Sequence, residues 1–549
     1  MNRRHIAVPF ALFALAVAVF ANSLGHAFVW DDTEAILANP FLVSPGAWWR
    51  CFGRDFGLEL LHVPVGYYRP LVFLSFIFNY AIGGLNPLVF HLTNVLLHGV
   101  NTVLVLALVA RLADRRTGVL AAVLFAVHPI HAESVAFIAG RSDLLCAFFL
   151  LLAVPAIARS FDAPRGTQLA WSAASLLAYT AALLSKEMAI ALPGVLIAYG
   201  LLERYRLRTL LRLCAPTLIL AVIYLAFRLI FFPMAGFIRA EAPEGSVVGR
   251  MAQLVFLYCA QQVFPVVPTL GAEIVTRQPW VDITAVVLLA LLIVAAKPRR
   301  RAAEAIVWTA GFLAPVLWVN LFTRVDINDR FAYVPSIGIC ALAAVAAARF
   351  WETQRLSRLV AAVVAVAFAA LGFTYSRMWR DAVALWNASI AYHPQCGRCY
   401  FNLGSAYWKE GKPNEAVRML GAAIKLLRDD ERRSWAFANM AQVLDECGEE
   451  DAAVEMARRS LGLRPRQIVF RLWFASLLAE MGRHQDAIED LETAQKFAPE
   501  NKEVLLGLAR EYLAIEPPRV EQAREAYRRA KELGAERDEE IEKRTMKYE

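Results

Sequence analysis

Two adjacent carboxylates, Asp31 and Asp32, follow the first long apolar stretch of the chain, Ile6 to Leu24. Acidic side chains at the end of a membrane-length apolar stretch are costly to hold near hydrocarbon, which makes them functional candidates. A carboxylate at a membrane surface can take a proton from a hydroxyl group as a general base. The two acids could equally be solvated loop residues outside the bilayer, and their position alone does not decide between the two interpretations.

Acids, cations and a histidine in later connections could complete a site of this kind. They are Arg69, His131, Glu133, Arg141, Asp143, Lys186, Glu187 and Arg330. Arginine can hold a phosphate through two parallel hydrogen bonds. Because phosphate leaves readily, a protonating acid is less necessary than in hydrolysis of an ordinary glycoside. The set suits a lipid-linked glycosyl donor, as one reaction class among several.

Some of these residues also have a purely structural interpretation. Lys186 and Glu187 could form an exposed ion pair in a loop, which would contribute little to stability. Arg141 and Asp143 could stabilise the start of a helix through its dipole and its free N–H groups.

The sequence predicts no certain cofactor. His128 and His131 could bind a divalent metal, but their three-residue spacing with one carboxylate supplies no third ligand or outer-shell partner, so ligand spacing does not support it. Cys396-Gly397-Arg398-Cys399 could be a redox or disulfide pair, or could pack at the start of a repeat.

The composition excludes a soluble domain and predicts the elements that position these residues. The chain has 549 residues, of which 58% are hydrophobic and 19% charged. Apolar runs of this length predict transmembrane helices. The eleven predicted spans are Ile6–Leu24, Pro87–Ala110, Thr117–Ile138, Asp143–Ala158, Gln168–Leu184, Met188–Leu201, Leu210–Phe232, Val281–Ala296, Ala303–Phe322, Tyr333–Arg349 and Arg358–Tyr375.

Basic residues predict the orientation of the spans. Much of the net charge of +8 lies in short loops on one face, which indicates the cytoplasmic side rather than nucleic-acid binding. An odd number of spans then places the N-terminus in the cytoplasm and the C-terminal region outside. This topology requires Pro70–Ile82 and the segment from Met251 to Phe264 not to cross. All candidate site residues fall on the outer side, together with Arg54, Asp55, Tyr67, Arg324 and Asp326.

A repeat begins after the last span. Gly448 and Gly482 are 34 residues apart, which is the period of the tetratricopeptide repeat, a helix pair that packs against its neighbours. Residues 394–535 hold three clear units and a degenerate fourth, residues 536–549 form a charged tail, and residues 1–376 form the membrane domain.

Several ordered motifs resemble one family, the transmembrane and tetratricopeptide-repeat O-mannosyltransferases that act on cadherins. The similar stretches include Phe28-Val29-Trp30-Asp31-Asp32, Tyr68-Arg69-Pro70-Leu71, Val127-His128-Pro129-Ile130-His131-Ala132-Glu133, Gly140-Arg141-Ser142-Asp143, Ser185-Lys186-Glu187 and Arg330-Phe331-Ala332-Tyr333. The resemblance covers nearly the whole chain, repeats included.

The resemblance implies an all-α, polytopic GT-C glycosyltransferase fold of about eleven transmembrane helices, followed by a tetratricopeptide-repeat solenoid. It implies an inverting enzyme that moves a sugar, by analogy mannose, from a polyprenyl phosphate to a hydroxyl of a protein that the repeats recruit. Asp31 is then favoured as the base and Asp32 as its support, although the assignment between them stays open. Glu133 and Asp143 would orient acceptor or sugar, and the phosphate candidates would be Arg69, Arg141, Lys186 and Arg330.

Two alternatives stay open. The same donor could serve a glycan or lipid acceptor, or the chain could be a membrane-anchored scaffold without catalysis. The Arg- and Ala-rich composition suggests a bacterial inner-membrane protein, with the active site and the repeats in the periplasm, and with membrane lipids and the lipid-linked sugar as partners.

Overall fold

The computed structural model describes residues 3–39, 42, 45–53, 68–232, 246–270, 278–322, 327–351 and 354–547, and these residues form helices and no strand. The predicted all-α architecture of membrane helices followed by helical repeats is confirmed. Arg54, Asp55, Tyr67, Arg324 and Asp326 lie outside the described residues. The chain divides into two compact units, Met1–His393 and Pro394–Glu549.

The first unit contains fifteen α-helices among its described residues. They are α1 Arg3–Phe20, α2 Pro70–Gly83, α3 Pro87–Leu112, α4 Arg115–Val127, α5 Ala132–Ala136, α6 Arg141–Asp162, α7 Arg165–Leu183, α8 Leu192–Leu202, α9 Leu207–Phe231, α10 Val247–Val263, α11 Pro279–Ala295, α12 Arg299–Phe322, α13 Ser336–Phe350, α14 Arg355–Met378 and α15 Ala382–Tyr392.

Six helical segments in the described part of the chain are long and apolar enough to cross a membrane. They are Ile6–Gly25, Pro87–Leu112, Ile138–Asp162, Leu207–Phe231, Arg299–Leu321 and Arg355–Met378. The chain is therefore an integral membrane protein. Four other predicted spans coincide with shorter or less apolar helices, namely α7, the segment Glu187–Leu202, α11 and α13. The total of eleven spans stays a prediction.

The third predicted span is not one straight helix. Its two parts, Arg115–Val127 and Pro129–Ala136, meet at a bend of 51°. Pro129 has no N–H to continue the helical ladder, and the His128 ring accepts the Ile130 N–H at 3.3 Å. The bend turns the chain toward α6 and places Glu133 in the site described below.

Small residues bring the membrane helices close together, as is common where helices pack within lipid. A Cβ atom on Gly338 of α13 would lie 2.3 Å from Thr309 Oγ1 and 2.4 Å from the Ala305 carbonyl oxygen on α12. A Cβ on Gly118 of α4 would lie 2.9 Å from the Leu106 carbonyl oxygen on α3. These contacts fix the helices whose ends carry the site.

The second unit consists of four helical hairpins and a final helix. The helices are α16 Gly397–Lys409, α17 Pro413–Leu426, α18 Asp430–Glu446, α19 Glu450–Leu463, α20 Ile468–Glu480, α21 His484–Phe497, α22 Lys502–Ala514, α23 Val520–Glu532 and α24 Glu539–Met546. Gly411, Gly448 and Gly482 adopt positive φ angles in the turns of the first three hairpins. Ile541 of α24 is buried, so part of the charged tail packs as a helix.

A disulfide links Cys396 and Cys399 at the start of α16. Both cysteines are fully buried, and the Cys396 sulfur also accepts the Cys399 N–H. This pairing corresponds to one of the alternatives that the sequence left open.

Candidate functional site

Asp32 is a buried carboxyl group held by backbone N–H donors. Its side chain has no exposed surface, and it accepts the N–H groups of Ala139 at 2.8 Å, Val29 at 3.3 Å and Ile138 at 3.4 Å. Burial raises the pKa of Asp32 to about 8, against the opposing effect of these donors. Asp32 thus joins the segment that follows α1 to the turn that precedes α6.

Trp30 directs the two aspartates into different surroundings. It adopts a φ of +51°, a left-handed conformation that is uncommon for a residue with a large side chain. Its ring stacks on Phe137 at 5.6 Å and on Trp379 at 6.3 Å, and meets the edge of Trp386 at 5.5 Å. An aromatic wall, defined as these four rings, therefore holds the strained residue in place.

Asp31 is partly exposed and lies within electrostatic range of Arg330. Burial lowers the pKa of Arg330, but the carboxylates Glu133, Asp31 and Asp143 outweigh burial and raise it above its ordinary value. The Arg330 guanidinium lies over the Trp30 ring at 5.4 Å. Three carboxylates thus lie within electrostatic range of Arg330 beside the aromatic wall.

Two further contacts fix the cations of this group. Glu133 accepts both the Arg330 side chain and the Arg330 backbone N–H, each at 3.1 Å. Lys186 forms an ion pair with Asp143, and both side chains are almost fully buried. The Lys186 ammonium also lies 4.8 Å from the centre of the Phe331 ring. Lys186 therefore pairs with Asp143 rather than with its sequence neighbour.

Two arginines share the carboxylate of Glu187. Arg69 donates to it through Nε at 3.1 Å and Nη2 at 3.0 Å, and Arg228 donates through Nη2 at 3.3 Å. The side chains of Arg69, Arg228 and Glu187 are 16%, 9% and 21% exposed, so little solvent surrounds this group. We call these three residues the arginine pair site. Arg69 interacts electrostatically with Lys186 and Arg330, which makes all these charges one cluster.

Sequence reasoning missed Arg228 and the two distant tryptophans of the aromatic wall. Arg228 lies in the last turn of an apolar helix of membrane length, where an arginine is a functional candidate by default, so the sequence did contain a signal for it. Trp379 and Trp386 lie between the last span and the repeats, in a connection to which the sequence assigned no role.

Arg141 is bound almost entirely by protein groups. Its fully buried guanidinium donates to Asn94 Oδ1 at 2.8 Å, to Ser75 Oγ at 3.2 Å, to Asn79 Oδ1 and to the Phe90 carbonyl oxygen at 2.6 Å. Binding a phosphate would require breaking these bonds. Arg141 therefore joins α2, α3 and α6, and we do not retain it as a phosphate ligand.

The histidines of the bent segment are likewise occupied. The His131 nitrogens contact the Phe125 carbonyl oxygen at 2.9 Å and Ser336 Oγ at 2.8 Å, and His128 Nε2 contacts the Gln262 carbonyl oxygen at 2.9 Å. No group of three metal-binding side chains occurs among the residues that the structure describes. His131 thus packs the bend against α13, and we do not retain it as a substrate ligand.

Comparison with known proteins gives relatives along most of the chain. The chain is 24% identical to human protein O-mannosyl-transferase TMTC3 over 95% of its own length and 64% of that protein. It is 26% identical to human TMTC4 over 74% of its own length and 64% of that protein. It is 36% identical to Drosophila melanogaster Tmtc2 over 45% of its own length and 28% of that protein. The chain thus spans less than two thirds of the length of these relatives.

The repeat unit also has matches. The tetratricopeptide repeat family matches residues 397–430. Among solved structures, MamA is 20% identical and aligns over 28% of this chain and 85% of MamA, with a TM-score of 0.25. A likeness at that score carries no argument. The predicted resemblance of the chain to protein O-mannosyl-transferases is confirmed by the sequence relatives.

Proposed function

We propose that this homologue of the protein O-mannosyl-transferases transfers mannose from a polyprenyl phosphate to a hydroxyl group of a protein, on the outer face of the membrane. The environment of Asp31 is the observation that best supports this proposal. Asp31 is partly exposed beside Arg330, whereas its neighbour Asp32 is buried and accepts three backbone N–H groups. Asp31 is the carboxylate that a substrate hydroxyl could reach.

In this proposal Asp31 removes the proton from the acceptor hydroxyl. The hydroxyl oxygen attacks the anomeric carbon from the side opposite the phosphate, the carbon–oxygen bond to phosphate breaks, and the configuration of the sugar inverts. Glu133 and Asp143 act as positioning residues, because they hold Arg330 and Lys186 by direct contacts.

The arginine pair site supports a place for the leaving phosphate. Two guanidinium groups converge on one carboxylate there, and all three side chains are mostly buried. In partly dehydrated surroundings, a charge-assisted contact to phosphate is stronger than the same contact in water. We propose that Arg69 and Arg228 receive the phosphate, with Lys186 and Arg330 closer to the sugar.

The chain would have three parts: a GT-C membrane domain at residues 1–376, acceptor-binding repeats at 394–535 and a charged tail at 536–549. Repeat arrays commonly present binding surfaces for proteins. We place the chain in a bacterial inner membrane, with its N-terminus in the cytoplasm and with the site and the repeats in the periplasm. The Cys396–Cys399 disulfide supports an oxidising compartment for the repeats.

The orientation can be tested by thiol labelling. Cys447 is exposed and unpaired, so a membrane-impermeant maleimide should label it in spheroplasts. An Arg206→Cys variant that also carries Cys447→Ser should react only after the membrane is permeabilised. The reverse pattern would refute the orientation.

The activity is tested with purified full-length protein in nanodiscs, polyprenyl-phosphate sugars that carry a label, and periplasmic protein extracts. Transfer of label to serine or threonine is expected, with mannose preferred. Wild-type transfer no greater than that of an Asp31→Asn, Asp32→Asn double variant, across a panel of donors, would refute the enzyme and favour a scaffold. In a deletion strain, loss of a glycan from envelope lipids rather than from proteins would favour the alternative acceptor.

A further inference from the structure

A cavity lies at the opposite ends of several helices that carry the candidate site. It has a volume of about 550 Å³ and is enclosed by parts of α3, α6, α8, α9, α12 and α13. Helix α3 contacts Arg141 near its start, at Phe90, and lines the cavity near its end, at Arg111. At 1.5 Å per residue these points lie about 30 Å apart along the helix, which is the thickness of a bilayer core.

The walls of this cavity are apolar. Val109, Ile157, Leu196, Leu213 and Val345 face it from five different helices. A volume of this size is in the range of small-molecule sites in proteins, which is roughly 300–1,000 Å³. The hydrocarbon chain of a lipid is the group that such walls accommodate in a membrane protein.

At the mouth of the cavity, carboxylates lie buried beneath more exposed guanidinium groups. The carboxylates of Glu203 and Glu304 are buried, with 9% and 6% of their side chains exposed, and the guanidinium groups of Arg300 and Arg301 cover them. Arg300 Nε donates to Glu203 at 2.7 Å, and Arg301 donates to Glu304 at 2.8 Å. Arg300 is 54% exposed and Arg301 is 31% exposed. A third ion pair of the lining, Arg111 with Asp162, is exposed on both sides, so three cations and one anion face outward.

We propose that this cavity binds an anionic phospholipid from the cytoplasmic leaflet, with an acyl chain between the helices and the phosphate against Arg300 and Arg301. Basic pockets between membrane helices on the cytoplasmic side are a known setting for anionic headgroups. A soluble anion would make no contact with the apolar walls. A neutral hydrophobic molecule would leave the exposed guanidinium groups without an anionic partner from the ligand. The site is independent of the transfer reaction and rests only on the proposed orientation.

The seated lipid would stabilise the membrane unit. The inner end of the cavity reaches Trp308, whose Nε1 donates to the Val334 carbonyl oxygen at 2.9 Å. An acyl chain there would fill space between α12 and α13 next to the segment that carries Arg330. Binding should therefore raise the thermal transition of the full-length protein.

The test uses delipidated full-length protein and native mass spectrometry, with phosphatidylglycerol, phosphatidylethanolamine, undecaprenyl phosphate and inorganic phosphate as separate probes. Phosphatidylglycerol should bind more tightly than phosphatidylethanolamine and raise the thermal transition, and inorganic phosphate should do neither. The quadruple variant Arg300→Gln, Arg301→Gln, Glu203→Gln, Glu304→Gln leaves no unpaired charge buried. Its affinity for phosphatidylglycerol should fall to its affinity for phosphatidylethanolamine, because the exposed guanidinium groups that favour the anionic headgroup are gone.

Two further variants make the result specific to the cavity. Ala341→Phe, which fills the cavity without changing a charge, should abolish the thermal shift. Arg355→Gln with Arg358→Gln removes two exposed charges that do not line the cavity and should leave binding unchanged. Equal binding of the two phospholipids, full binding by Ala341→Phe, or tighter binding of undecaprenyl phosphate at this site would overturn the proposal.

Discussion

The adjacent aspartates allow the most direct experiment, because one substitution affects them in different ways. Asp31→Asn removes the proposed base at a partly exposed position, so its effect on stability should be smaller than that of a change at the fully buried Asp32. The rate of transfer should fall by roughly 10²- to 10⁴-fold, the usual contribution of a general base. That loss corresponds to about 3–5 kcal/mol in the activation barrier.

Asp32→Asn should mainly cost stability. The asparagine oxygen can keep the Ala139 bond at 2.8 Å, but its NH₂ group then faces the N–H groups of Val29 and Ile138. Each buried donor without an acceptor costs about 1–3 kcal/mol, and both lost contacts are long, so we expect a total of about 2–4 kcal/mol. For a unit of 393 residues this lowers the thermal midpoint by roughly 3–5 °C.

The assay measures initial rates and thermal midpoints of both variants in the same nanodiscs, with rates taken well below the lower midpoint. We expect Asp32→Asn to retain at least a tenth of the wild-type rate. The assignment is refuted if Asp31→Asn keeps its activity while Asp32→Asn loses it without a fall in its midpoint.

Three further results are expected. Asp143→Asn should lower the stability of the membrane unit by about 3–5 kcal/mol, because Lys186 would stay buried without its partner. Adding Lys186→Gln should restore most of the lost stability. Additive losses in the thermal midpoint of the double variant would contradict this. Replacing Cys396 and Cys399 with serine should destabilise the repeats by about 2 kcal/mol in urea titrations, and no change would contradict a structural role. Burial raises the pKa of Asp32 in the folded protein to about 8, so its contribution to stability is complete below pH 4 and is lost as the pH rises toward 8. The thermal midpoint of the Asp32→Asn protein should therefore decline less steeply over pH 5–8 than that of the wild type. An unchanged slope would contradict the assignment.

The helical architecture was predictable because apolar runs and a 34-residue period are strong local signals. The bend at Pro129 was not predicted, although proline is the usual cause of such a break. Hydropathy registers how apolar a segment is, and it does not register where its helical hydrogen bonds stop.

The sequence indicated which residues belong to the site, but it did not indicate which of them pair with one another. Lys186 and Glu187 are neighbours in sequence, yet Lys186 pairs with Asp143 and Glu187 with two arginines. Such choices depend on how helices pack, which no spacing rule contains. The different role of Arg141 also depends on helix packing, because its four hydrogen-bond acceptors come from α2 and α3.

The short helix α11 has a consequence for the surrounding membrane. Its 17 residues span about 25 Å, less than a hydrocarbon core of about 30 Å, and its apolar side chains, such as Ile283 and Val294, are more than 60% exposed. If α11 crosses the membrane as the eleven-span prediction has it, the bilayer is expected to thin around it so that its apolar side chains stay covered. The protein would then deform its lipid annulus locally and favour thinner membranes.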